Sequence, residues 1–228
     1  TLLNLARETG HSKAWSVIGI MGMAAAILIL SFYSVVAGWT LHYAWLYLSQ
    51  LFGGDGISDG AATFGGLLAD PKTLLLWHSV FMVLTIGVVA LGVEKGLERA
   101  VKFLMPALFV MLLLLVGYGA STGHLGSAAA FLFTPDFSKI NGSVVLAALG
   151  QAFFSLSLGL AGMMAYGAYL PRDVSIPRAG VAIALTDTSV ALLAGLAIFP
   201  VLFAFGLEPT GGGPGLIFTT LPMAFADM

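Results

Sequence analysis

The sequence has no cysteine in 228 residues, so it supports neither a disulfide framework nor thiol chemistry. Charge is nearly as scarce. Only 9% of the residues are Asp, Glu, Lys or Arg, against about 25% in soluble domains. The formal net charge is −2, which leaves no basic surface for nucleic acid. His, Asp and Glu never fall at a spacing typical of a metal site. Neither a Gly-x-Ser-x-Gly elbow nor a phosphate-binding glycine loop occurs. The first residues, Thr1 to Lys13, are polar and amphipathic, unlike a signal peptide. The chain opens without Met and stops in loop-like sequence at Met228, so a piece of a longer protein is expected.

What remains is apolar. Hydrophobic residues make up 59% of the chain, and mean hydropathy is +1.00. This composition reads as an all-α polytopic membrane protein, one membrane domain over residues 1–228. Five segments carry the apolar residues: about 14–48, 74–93, 101–118, 144–169 and 179–205. The first and last are long enough to tilt or to extend past the bilayer. Turn signals separate them: Gly53-Gly54-Asp55-Gly56 to Asp70-Pro71, Gly92 to Gly96, Gly123 to Gly142, and Pro171 to Pro177. No strand and no internal repeat is expected.

Charge placement sets the orientation. With five spans, Arg7, Lys13, Lys95, Arg99, Lys102, Arg172 and Arg178 all fall on one side. Only Lys72 and Lys139 fall on the other, together with Asp55, Asp59, Asp70, Asp136, Glu208 and Asp227. The positive-inside rule then places Thr1 in the cytoplasm and Met228 outside, in an inner (plasma) membrane. The tail, residues 206–228, is too short to span. It reads equally as an apolar hairpin against the outer face or as a linker.

Two features spoil the apolar pattern. The first is Gly150-Gln151-Ala152-Phe153-Phe154-Ser155-Leu156-Ser157-Leu158-Gly159, at the centre of the fourth segment. Ser and Gly are weak helix formers, and Ser hydroxyls compete for backbone hydrogen bonds. Such a centre is either a seam of small residues between helices or a broken helix whose free backbone binds a solute. The second feature is Asp187, the one acid of eleven that lies inside a span. No Lys or Arg in these spans can neutralise it. A cation is the favoured partner, with Thr186, Thr188 and Ser189 as neighbouring oxygen donors. The alternative is a protonated acid bonded to a nearby helix. Tyr33, mid-span, needs a partner for its phenol, whether a helix or a ligand. His42, His78 and His124 lie near span ends and read as interfacial.

These residues resemble the neurotransmitter:sodium symporter family, in its bacterial amino-acid branch. Tyr33-Ser34-Val35-Val36-Ala37-Gly38-Trp39 looks like the family's third span. Gly92 to Arg99, with Lys102 to Pro106, looks like the loop into its fifth. Phe133-Thr134-Pro135-Asp136-Phe137 resembles an outer loop, and Gly150 to Gly159 the broken sixth span. Ala194 to Pro200 looks like the seventh, and the tail to Leu221-Pro222 the outer capping loop.

The resemblance implies part of an inverted-repeat, leucine-transporter-like fold of twelve helices. Five are present here, with a break near 155–159; the first, second and eighth are absent. It implies sodium-coupled symport of an amino acid by alternating access, with no organic cofactor and no catalysis. The alternatives are a channel, another ion-coupled membrane transporter, or a piece that is inactive by itself. By resemblance, Tyr33 would bond the substrate carboxylate, Ile29 and Leu160 would touch its side chain, and Phe154 would close over it. Ser155 would be a sodium ligand. Ser157 and Gly159 would mark the break. Tyr33, Phe154 and Tyr169 would be gate residues, Tyr169 belonging to the inner gate. Asp187 falls where the family commonly has a sodium-ligating Asn. Ala191 falls where chloride-dependent members have Ser. Gln151 and Ser155 would then be the vestige of a chloride site, with Asp187 supplying the negative charge. Chloride-independent transport is expected, with the Asp187 carboxylate within reach of Ser155.

Overall fold

The computed structural model describes residues 2–10, 12–53, 57, 59–167, 169–171, 173–207 and 213–226. Asp55, Arg172, Glu208 and Asp227 from the charge count lie outside the described residues. So do His11, Gly211, Gly212 and both terminal residues. Every regular element described is helical. A short α1, Leu2–Glu8, precedes the long α2, Ser16–Leu51. Then come α3, Gly60–Ala69, and α4, Pro71–Ala90. A π-helical turn, Val93–Leu97, leads into α5, Glu98–Ser121. Next are α6, Leu125–Phe133, α7, Gly142–Ser155, and α8, Ala161–Gly167. The long α9, Ile176–Ala204, is followed by a π-helical turn at Leu216–Thr220 and by α10, Leu221–Ala226.

Four of these stretches are long and apolar enough to cross a membrane: Ser16–Leu51, Pro71–Ala90, Lys95–Ser121 and Ile176–Ala204. They lie where the first, second, third and fifth apolar segments do. The fourth segment is divided between α7 and α8.

The loops read from turn signals are partly helical. Glycines in 60–69 look like breakers, yet α3 forms. Asp59 caps it, its Oδ1 accepting from the backbone N–H of Ala61 and Ala62 at 2.8 and 3.0 Å. Asp70 does the same for α4 through Lys72 N–H, with Pro71 in the first turn, where its missing N–H costs nothing. In α6 the run of alanines and aromatics outweighs Gly126: Ala128 is fully buried.

Contacts divide the chain into two compact units. One holds residues 1–33 and 136–188; the other holds 34–135 and 189–228. Helices α2 and α9 run from one into the other. In the second unit, Tyr43, Ile57, Leu67 and Phe218 form a buried cluster, with Trp39, Phe64 and Leu74 packed on it. The rings of Phe64 and Phe218 stack 5.5 Å apart. Gly38 lets α4 come close to α2, because a Cβ there would stand 2.9 Å from the backbone nitrogen of His78. Phe131 of α6 packs edge-on against Phe199 of α9 at 4.8 Å.

The described part of the tail, residues 213–226, docks on the second unit. Tyr43 Oη donates to the carbonyl of Phe218 at 2.7 Å, and Phe218, Leu221 and Ala224 are buried. Gly60 makes this possible: a Cβ there would meet the Thr219 carbonyl at 2.2 Å.

In the first unit, α7 stops at Ser155 in a closed cap. Ser157 N–H donates to the Phe154 carbonyl at 3.1 Å, and Leu158 N–H to the Phe153 carbonyl at 2.8 Å. This pair of bonds needs a left-handed residue just past the helix. Glycine usually fills that place; here it is Ser157, with φ 53°. Gly159, φ 77°, makes a second left-handed step before α8.

Two predictions follow from this packing. Gly60→Ala in the full-length protein should cost about 1–3 kcal/mol through overpacking against Thr219, read as a lower thermal unfolding midpoint. An unchanged midpoint would mean that the tail is not docked on α3. At the break, Ser157→Gly should leave the midpoint nearly unchanged, since it relieves left-handed strain while loosening the unfolded chain. Ser157→Val should cost about 1–2 kcal/mol and lower the midpoint. Equal tolerance of both would argue for a right-handed, continuous helix at 157.

Candidate substrate and cation site

The site is built where α7 ends. Because the cap turns the Ser157 and Leu158 N–H groups back to Phe154 and Phe153, it leaves other carbonyls over. Among the described residues, no backbone N–H bonds the carbonyl of Ser155 or Leu156. A helix end in hydrocarbon must find other company for such groups.

Beside them stands the in-span acid. The Ser155 hydroxyl lies 2.8 Å from Asp187 Oδ1 and 2.6 Å from Oδ2, donating its one hydrogen between the two carboxylate oxygens. The bond joins the last residue of α7 to the first half of α9. No described basic side chain pairs with Asp187. Of the hydroxyls expected around it, Thr188 turns away and donates to the Ala184 carbonyl of its own helix at 2.9 Å. Ala191, one turn further along α9, carries no polar atom.

The ring pair sits on the same unit. Tyr33 of α2 and Phe154 of α7 lie 5.8 Å apart, centroid to centroid, tilted by 36°. Phe32 meets Tyr33 edge-on, also at 5.8 Å. Phe154 immediately precedes Ser155, so one helical end presents an aromatic face and a hydroxyl in consecutive positions. Tyr33 and Phe154 remain 46% and 45% exposed, which leaves both rings surface for a ligand. Ile29, one turn before Tyr33, and Leu160, in the break, are half-buried.

Two further sequence candidates stand apart from this grouping. Tyr169 lies past α8, is 69% exposed and makes no ring contact with a described aromatic residue. Gln151, one turn before Ser155 on α7, is exposed, and the Ser155 hydroxyl bonds Asp187 instead. What sequence reasoning missed is which carbonyls the cap leaves without a backbone partner among the described residues, those of Ser155 and Leu156 among them. The alternation of Ser and Gly located the break; it did not say which backbone groups the cap would satisfy.

Chemically, the end of α7 and the middle of α9 offer a carboxylate, a hydroxyl and carbonyl oxygens. That donor set suits a hard cation. Among the described residues no group of three or more His, Cys, Asp or Glu is assembled.

Comparison with known proteins gives this geometry a family. Residues 68–228, well over half of the chain, match the sodium:neurotransmitter symporter family. The chain is similar to the uncharacterized sodium-dependent transporter YhdH of Bacillus subtilis, 42% identical over 97% of this chain and 49% of that protein. It is similar to an uncharacterized sodium-dependent transporter of Haemophilus influenzae, 35% identical over 98% of this chain and 50% of that protein. The chain thus spans about half the length of the curated relatives it matches. It superposes on the crystal structure of MhsT in complex with L-phenylalanine with a TM-score of 0.87 and 43% identity, covering all of this chain and 52% of that one. With its all-helical, leucine-transporter-like fold, the chain belongs to the sodium:neurotransmitter symporter family, a family of transporters and not of enzymes.

Proposed function

We propose that this chain is the part of a sodium-coupled amino-acid symporter that holds its third to seventh spans. In this reading the full-length protein works by alternating access, in an inner membrane, with the Thr1 end cytoplasmic and the Met228 end outside. The observation that carries the proposal is the Ser155–Asp187 bond at the end of a broken helix, beside the Tyr33–Phe154 ring pair. The relatives named as sodium-dependent transporters support the ion, and L-phenylalanine in MhsT supports the substrate class.

Sodium would take the place between Asp187 and Ser155. The Ser155 hydrogen would rotate away, turning a lone pair toward the ion, and the carboxylate would supply the charge. Tyr33 would donate its phenol to the substrate carboxylate, while Phe154 would cover the substrate and Ile29 and Leu160 would touch its side chain. Ser157 and Gly159 would hold the backbone open for it. Tyr169 would close the inner end. A cation 4 Å from a carboxylate gains about 4 kcal/mol at an effective dielectric of 20. Substrate carboxylate and ion therefore favour each other's entry, which is the physical content of coupling.

The same reading extends to chloride. Ala191 offers no ligand, and Asp187 already bonds Ser155, so the carboxylate does what an anion bound near Gln151 and Ser155 would do. Transport is then independent of chloride.

Tyr33→Phe in the full-length protein should weaken substrate binding by about 1–3 kcal/mol, measured by titration in saturating sodium. Unchanged affinity would remove Tyr33 from the site. Uptake of labelled amino acid into proteoliposomes should run equally in chloride and gluconate. Asp187→Asn should abolish uptake or make it require chloride. A wild-type rate that falls to background in gluconate, with Asp187→Asn behaving the same way, would refute the assignment.

A further inference from the structure

The two faces of α4 differ. Toward α2, the His78 backbone fills the space that Gly38 leaves, and the rings of His42 and Trp77 lie 5.6 Å apart. Leu74 continues that face onto the aromatic cluster. Half a turn of the helical wheel away, Leu75, Leu76, Val80, Val83 and Leu84 form the opposite face, with Lys72 at its head. They line an open groove of about 580 Å³. Leu76 is 58% exposed and Val83 69%. From Lys72 to Leu84 the groove runs about 18 Å at 1.5 Å per residue. One leaflet of the hydrocarbon core is about 15 Å deep.

Composition bears on what covers this face. Helix seams in a bilayer favour small residues that let backbones approach, as Gly38 does on the other side. This face carries large branched aliphatics, which suit acyl chains. Ser79, its one polar member between Lys72 and Leu84, lies mid-groove. Lys72 makes no ion pair with a described residue. The neighbouring Asp70 is already engaged: its Oδ1 accepts from Lys72 N–H, and its Oδ2 from the Thr73 hydroxyl at 2.6 Å. Those bonds, the Thr73 hydroxyl first, hold its carboxyl below the usual carboxylate range. The Lys72 ammonium is therefore free for a second anion at the mouth of an apolar track.

We propose that this groove binds one acyl chain of a phospholipid whose phosphate meets Lys72, with preference for an anionic head group. The site is separate from the transport site and needs no sodium or substrate. Native mass spectrometry of the delipidated full-length protein tests it, with phosphatidylglycerol and phosphatidylcholine added in turn. Phosphatidylglycerol should be retained about fivefold better, the weight of one basic side chain against an anionic lipid. Lys72→Gln should level the two lipids, and Val80→Trp, which fills the groove, should reduce both. Equal retention by the wild-type protein overturns the proposal, as does a preference that survives Lys72→Gln. A nitroxide at Val83→Cys, on a cysteine-free full-length background in bilayers, gives a second readout. Collisions with oxygen far exceeding those with a water-soluble nickel chelate mean lipid. Low accessibility to both means that protein covers the face, whether the rest of the chain or a second copy, and the proposal fails.

Discussion

A carboxylate in a hydrocarbon span costs about 2.5–3.5 kcal/mol even on the mildest insertion scales. Asp187 bears that cost at the centre of α9, with no described basic side chain to answer it. What answers it is one hydroxyl, the side chain of Ser155, shared between both of its oxygens. The rest of the first unit is arranged so that this contact can exist. Ser155 is the last residue of α7; had the helix continued, its carbonyl would have been bonded four residues on. Instead the chain caps itself through Ser157 and turns twice in the left-handed region before α8. Break and acid thus meet at one place, where the Ser155 hydroxyl at the end of α7 bonds the Asp187 side chain.

The two units divide the labour differently. Most of the fully buried residues, among them Tyr43, Ala128, Leu202 and Phe218, belong to the unit of residues 34–135 and 189–228. It is held by close approaches of small residues and by stacked rings, the kind of packing that works without a hydrophobic force between helices. The other unit carries the in-span acid, the broken helix and the Tyr33–Phe154 pair, and its helix surfaces are largely exposed.

Much of this could be read from residue types. Long apolar segments locate long helices because the bilayer fixes their length, and the structure has α2, α4, α5 and α9 at four of the five predicted places. Asp187 stands out in sequence because charge is so rare. The alternation of Ser and Gly after Phe154 points to the interval between α7 and α8. Other elements were illegible for definite reasons. The glycines of 60–69 look like a loop, since their compatibility with a helix depends on Asp59 capping it and on the tail lying where side chains would have been. The tail's apolar residues allow docking but do not name its partners, since its burial is set by Tyr43 and Phe64, far away in sequence. Nor does sequence say which carbonyls a cap leaves free.

The bond from Tyr43 to Phe218 joins residues 175 apart in the chain. Spans enter a membrane in the order in which they are synthesised, at about 5–20 residues per second. The end of α2 therefore sits in the bilayer for about ten to thirty seconds before its acceptor exists. During that interval the Tyr43 hydroxyl and the flank of Trp39 face whatever the nascent bundle and the lipid offer. The stretch that completes the aromatic cluster is also the last of the described residues to be made. Closure of this unit's core therefore waits for nearly all of the described chain to be made.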